Sequence, residues 1–166
     1  MVGSDWVVIP GFPKYSVNTL GQVVHDRTGY QVRPQPNKDG DGVYVGMMQG
    51  RFQRKRSLAP LVASIFIPQP AEAFDTPINL NGDRYDCSVE NLMWRPRWFA
   101  IQYHQQFTVG AVSRASRPIR DLATDEVLPD TFTAATLYGL LELDVINSIY
   151  ARTYVWPTYK QFDFIE

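Results

Sequence analysis

The stretch Ile78-Asn79-Leu80-Asn81-Gly82-Asp83-Arg84-Tyr85-Asp86-Cys87-Ser88-Val89-Glu90-Asn91-Leu92-Met93-Trp94 constrains the fold more than any other part of the chain. Thr76 to Leu80 reads as a strand that ends at the turn triplet Asn81-Gly82-Asp83. Such triplets stop strands because glycine accepts positive φ and Asn or Asp side chains bond to nearby backbone. A second apolar run, Asn91 to Trp94, then leads into a helix expected to reach His104.

The composition around this stretch is that of a folded chain. Of 166 residues, 45% are apolar and 20% charged, which argues against wholesale disorder. That length suits one domain or a few small modules, at roughly 150 residues per domain. Aromatic residues make up 13%, enough to give small modules cores or contact surfaces. A single cysteine, Cys87, excludes an internal disulfide framework and a Cys-rich zinc site. No apolar run reaches the roughly 18 to 20 residues of a membrane span, so a soluble, unsecreted protein without a membrane partner is expected.

The formal net charge is −1, but the charge is unevenly spread. Residues 31 to 60 sum to +4 and residues 101 to 120 to +3, whereas residues 121 to 166 sum to −6. A basic middle suits phosphate, and an acidic C-terminal module is repelled by it.

Short apolar runs broken by Pro10-Gly11 and Gly21 make residues 5 to 24 strands and hairpins. Asp39-Gly40-Asp41-Gly42 marks another turn before the strand Val43 to Met47, and the basic run Arg51 to Arg56 follows. Leu58, Leu61, Val62, Ile65 and Phe66 recur at helical spacing, with Pro60 in the first turn and Pro68 at the end. Residues 105 to 116 read as a linker. Beyond it, Pro118 to Asp121 and Val127-Leu128 read as short strands, and Asp130 as the N-cap of a helix ending at Gly139. A second helix is expected over Leu143 to Tyr150, and a final strand over Thr153 to Tyr159.

Taken with Trp6, Ile9, Gly11, Tyr15, Ser16, Val17, Asn18, Gly21 and Val23, the stretch Ile78 to Trp94 resembles the phage HNH homing-endonuclease family. The resemblance implies an α+β fold in four parts. These are a β-rich NUMOD-type module (residues 1–56), a ββα-metal-like centre (57–104), a linker (105–116), and a β-hairpin with a helix-turn-helix repeat (117–166). In that family a histidine on the first strand activates water. An acidic neighbour and a helix side chain hold a divalent metal, and a loop asparagine orients the histidine.

Here the histidine place is Asn79, the acidic place is Ile78, and the helix ligand falls near Phe99 or Ala100. Asn91 alone remains, and the family's His-Arg pair ahead of the Leu-Val-Ala helix is replaced by Ala59 and Pro60. An amide takes no proton near neutral pH, and loss of a general base alone removes about 10²- to 10⁴-fold of rate. No catalytic residue and no metal ligand is therefore assigned, and no cofactor is expected. Mg²⁺ enters only if ligands have moved to Asn81, Asp83, Asp86 or His104. On this reading, Ile78→Asp with Asn79→His shifts the site toward activity.

Arg51, Arg54, Lys55 and Arg56 form the densest basic cluster; Arg95, Arg97, Arg114, Arg117 and Arg120 extend it as candidate phosphate contacts. The expected function is a catalytically degenerate HNH-like protein that binds double-stranded DNA in the cytoplasm of a phage-infected cell. One alternative is a scaffold that binds a protein partner through its acidic C-terminal module, as a phage-particle component or an enzyme inhibitor. A second is an active Mg²⁺-dependent endonuclease with displaced ligands.

Overall fold

The computed structural model describes residues 5–108 and 115–166. The chain divides into two compact units, Met1–Arg97 and Trp98–Glu166. Both mix helices with small antiparallel sheets, which makes the chain an α+β protein.

The first unit opens with β1 (Val7–Ile9), β2 (Phe12–Val17), β3 (Val23–His25) and β4 (Gln31–Val32), paired in that order. A second sheet holds β5 (Gln35–Pro36), β6 (Val43–Gln49) and β7 (Phe52–Ser57), with β6 in the middle. On β6, Val43, Val45 and Met47 are buried, while Tyr44 and Gly46 are half-buried and Met48 exposed. That two-residue alternation gives the sheet one core face and one open face. Met48 N–H donates to Tyr15 Oη at 3.0 Å, which joins the second sheet to β2.

Helix α1 (Leu58–Phe66) follows directly. Its stripe buries Leu58, Val62 and Ala63, and Leu61, Ile65 and Phe66 pack at the margin. The hairpin of β8 (Thr76–Asn79) and β9 (Leu92–Arg95) completes the unit, with Ile78 opposite Met93 and Asn79 opposite Leu92. One core contains Val17, Val45, Met47, Val62, Leu92 and Trp94. It therefore runs straight through position 56/57, where the sequence suggests a module boundary.

Gly21 fixes how the β2–β3 turn meets the loop before β9. Its φ is +77°, and a Cβ there would lie 2.7 Å from the Cys87 carbonyl oxygen. Only glycine combines that dihedral with so close an approach. The contact is reinforced by Val89 N–H donating to the Thr19 carbonyl at 2.8 Å.

The second unit is built from α2 (Arg97–Thr108), β10 (Ile119–Asp121), β11 (Val127–Leu128), α3 (Thr131–Tyr138), α4 (Glu142–Ala151) and β12 (Phe162–Phe164). Residues 105 to 108, which the sequence assigns to the start of the linker, are the last turn of α2. Asp130 caps α3, its Oδ1 accepting from Thr133 N–H at 2.7 Å, and Gly139 closes that helix at φ 63°. The short connection to α4 gives a helix-turn-helix that buries Ala134, Ala135, Leu140, Val145 and Ile149 with Ile119 and Phe162. Gln106 of α2 ties into it: its Oε1 accepts from Glu142 N–H at 2.6 Å and its Nε2 donates to the Leu140 carbonyl at 3.3 Å.

The final strand is displaced from its expected place. Residues 153 to 159 form no strand beyond a single bridge from Val155 to Lys160, and the strand is Phe162–Phe164, beside β10. Val155 is buried, whereas Trp156 turns away to stack on Trp98 at 5.4 Å.

Asp121 is fully buried, and Lys160 Nζ donates to its Oδ2 at 2.5 Å. Burial alone raises a carboxyl pKa, but the Lys160 bond, the Ala123 N–H bond and the Lys160 charge outweigh it and hold Asp121 low. Burial lowers Lys160, but its bonds and charge contacts with Asp121 and Tyr138 outweigh that and raise it. A depressed carboxyl contributes stability that is fully present above its unfolded value of about 3.9 and lost as pH falls through the folded value. A raised ammonium contributes stability that is fully present below about pH 10.4 and lost as pH rises through its folded value. Urea unfolding of the second unit should therefore show a plateau between these limits and a fall at each end. Asp121→Asn should cost about 2–4 kcal/mol at neutral pH, because it leaves Lys160 without its anion. An unchanged unfolding midpoint would remove the pair from the stability of this unit.

Candidate functional site

The loop between β8 and β9 is closed by its own side chains. Asn79 is 1% exposed, and its Nδ2 donates to the Asp86 carbonyl at 3.0 Å. Asn91 Nδ2 donates to the same carbonyl at 2.8 Å and to Asn81 Oδ1 at 2.9 Å, while Asn91 Oδ1 accepts from Asn81 N–H. Asn91 thus ties together both ends of the loop.

The carboxylates nearby are also engaged. Asp86 Oδ1 accepts from Ser88 Oγ at 2.7 Å and Oδ2 from Asn81 Nδ2 at 3.1 Å. Asp83 Oδ1 caps Tyr85 N–H at 2.9 Å, and Asn81 Oδ1 accepts from Asp83 N–H. These are Asx-turn bonds that fix backbone.

The positions that resemble an HNH centre do not fit a divalent cation. Ile78 is fully buried hydrocarbon, Asn79 presents an amide donor to a carbonyl, and Ala100 on α2 is a buried methyl. Hard cations take oxygen ligands; Ile78 and Ala100 supply none, and Asn79 is buried with its amide nitrogen turned onto the Asp86 carbonyl. Among the described residues, no three His, Cys, Asp or Glu side chains converge in a way that would hold an ion. His104 meets the Tyr103 ring edge-on at 5.8 Å, and His25 Nδ1 accepts from Thr28.

Cys87 sits inside this network, 2% exposed, with Sγ donating to the Arg84 carbonyl. Burial pushes its thiol up to about 11; a bond from Asn79 pulls the other way and the Asp86 charge adds to the rise. Only thiolate reacts, so alkylation of the folded protein at pH 8 should run at least about 100-fold slower than that of the urea-unfolded chain. Equal rates in the two states would show that the loop opens readily.

The basic candidates separate into distinct settings. Arg51, Arg54, Lys55 and Arg56 are all exposed on or beside the edge strand β7. No acidic side chain pairs with them among the described residues. Their charges lie instead near rings: Lys55 4.6 Å from Tyr44, Arg56 5.2 Å from Phe12, and Arg54 5.8 Å from Phe52. A separate cleft of about 690 Å³ is lined by Pro13, Lys14, His25, Asp26, Arg27 and Thr28.

Arg97 is exposed at the start of α2. Arg95 is a correction to the expectation from sequence: it is only 6% exposed, and Nη1 donates to the Trp94 carbonyl at 2.9 Å, so it supports the end of β9. In the second unit, Arg117 lies over the Phe164 ring at 4.7 Å, and Arg120 is paired with Asp125 at 3.3 Å. Arg114 lies outside the described residues. Sequence reasoning passed over Gln53 and Met48 beside the cluster, although the alternation Val43, Val45, Met47 against Tyr44, Gly46, Met48 is visible in the chain.

The exposed side of α4 offers Leu143, Asn147 and Tyr150, with no cation among them. Asp144 beside them is pushed up by burial. Aromatic surface is plentiful in this unit, with Trp98, Tyr154, Trp156 and Tyr159 all at least 47% exposed.

An α+β chain with this arrangement of small sheets and a β8–β9 hairpin followed by a helix has an HNH-endonuclease-like fold. It is similar to a solved structure of the HNH homing endonuclease I-HmuI, described for its DNA binding and cleavage. The two share a TM-score of 0.52 over 97% of this chain and 98% of that one, with 20% identical residues. No family model and no curated protein matches the sequence. No helix among the described residues is long and apolar enough to cross a membrane.

Proposed function

We propose that this chain binds duplex DNA through its first unit, on an HNH-like scaffold that no longer carries out hydrolysis. The observation that supports binding most directly is the row Arg54-Lys55-Arg56, exposed on an edge strand and unopposed by acid among the described residues. Cations held in that way meet phosphates without first giving up a carboxylate partner. The reading that hydrolysis is lost rests on Asn79, a buried amide with no basic nitrogen in the place of a general base, and on the buried hydrocarbon of Ile78 and Ala100.

Fluorescence anisotropy with a labelled duplex, repeated across salt concentrations, tests the first part. Three to four phosphate contacts predict a slope of log K against log salt of about −3. Absence of binding at low salt would overturn the reading. A plasmid-nicking assay with Mg²⁺ or Mn²⁺ tests the second part. Nicking lost in Asp83→Ala would establish a displaced centre instead.

A second reading, a protein partner for the second unit, is favoured by the charge of −6 over residues 121 to 166 and by the exposed aromatic side chains there. A protein that co-purifies with the full chain, and is released by Tyr159→Ala with Trp156→Ala, would support it.

A further inference from the structure

We infer that the open face of the β6–β7 ribbon reads base edges, and that Gln53 selects adenine there. The inference rests on the duplex-binding reading and adds the sequence the protein prefers.

The register places Met48 opposite Gln53 and Gly46 opposite Lys55. Residues directly opposite in an antiparallel pair share a face, so Tyr44, Gly46 and Met48 lie on the same side as Ser57, Lys55 and Gln53. This side is turned away from the core, because the alternate residues Val45 and Met47 are fully buried. A two-stranded ribbon is narrow enough for the major groove of duplex DNA, about 12 Å wide.

The chemistry of that face is mixed. Lys55 meets phosphate or guanine, and Met48 is an exposed apolar group of the kind that meets a thymine methyl. Gln53 carries an amide, which presents one donor and one acceptor, the pattern that matches adenine N7 and N6.

Gln53 is also held in place by an absence. A Cβ at Gly46 would lie 2.7 Å from Gln53 Nε2 and 3.1 Å from its Cδ. The glutamine amide therefore lies flat across the ribbon in the space that Gly46 leaves open. A side chain held against the ribbon surface loses less freedom on binding than one extended into solvent. The backbone of Gly46 needs no positive φ, so alanine is tolerated there and only the flexible end of Gln53 must move. Gly46→Ala thus displaces the amide without removing it.

The test is selection from a library of randomised duplexes by the full chain, run in parallel for wild type, Gln53→Ala and Gly46→Ala. Circular dichroism serves as the folding check on each. Wild type is expected to enrich a site with one fixed A·T pair. Both variants are expected to relax preference at that same pair by about 10- to 100-fold and to retain the others. Binding with no preferred pair, or a Gln53→Ala site identical to that of wild type, overturns the assignment and leaves the duplex-binding reading standing. Wild type that enriches no duplex overturns both.

Discussion

Replacing Arg54, Lys55 and Arg56 together by alanine is expected to weaken duplex binding about 10²- to 10³-fold at about 0.1 M salt, and to reduce the salt slope by about three. Each cation that neutralises a phosphate releases close to one condensed counterion. At this salt each release is worth somewhat under tenfold in affinity. All three side chains are exposed, and no ion pair among the described residues involves them. Removing them strips charge without leaving a buried partner. Within the fold, these side chains lie against the rings of Phe52, Tyr44 and Phe12. A cation over a ring at an exposed site is worth about 0.5–1 kcal/mol, so the unit stays folded without all three. Anisotropy titrations at four or more salt concentrations measure both quantities. A slope unchanged in the triple variant would move the DNA contact to another surface.

The double change Ile78→Asp with Asn79→His should unfold the first unit and leave it without nuclease activity. Sequence alone points the other way, since it restores the residue types of an HNH centre. The structure supplies the reason for the reversal. Ile78 is 0% exposed on β8 opposite Met93, so an aspartate there loses its packing and buries a carboxylate. Asn79 is 1% exposed, and its amide closes the loop onto Asp86. A larger imidazole removes that bond and overfills the space. Lost packing costs about 2–5 kcal/mol and an unpaired buried polar or charged group adds several more, against a typical total stability of about 5–15 kcal/mol. Thermal melting followed by circular dichroism, with plasmid nicking on the same sample, is the measurement. A variant that melts with wild type and nicks DNA in Mg²⁺ would refute the account of this loop as a fixed structural element.

Much of the fold could be read from residue spacing. The stripe of α1, the Asp130 cap, the Gly139 stop and the β8 turn all appear where local chemistry puts them, because each is set by neighbours within a few residues. The last strand departs from its expected place for a different reason. Tyr154, Val155 and Trp156 have strong strand preference, yet Trp156 gains more by stacking on Trp98, which is distant in sequence. Arg95 has the residue type of a surface charge, whereas its place at the end of β9 directs it inward. The departure of Ile78 and Asn79 from the residue types of an HNH centre can be read from the sequence, but the bonds that hold this loop cannot. A web of bonds among Asn79, Asn81, Asp86 and Asn91 depends on the closure of a loop that spacing does not specify.

The attachment of Gln106 to the turn before α4 has a practical consequence for dissecting the molecule. A fragment cut at residue 117, where the sequence suggests a module begins, leaves behind the side chain that accepts from Glu142 N–H and donates to the Leu140 carbonyl. It also leaves behind Phe107, whose ring meets Phe132 at 5.5 Å, and Trp98, which stacks on Trp156. Such a piece should be recovered with poorly dispersed amide resonances. One that begins just ahead of α2 should give the dispersed spectrum of an autonomous folding unit. The hinge for genetic swaps with related proteins therefore belongs ahead of α2, at the end of β9.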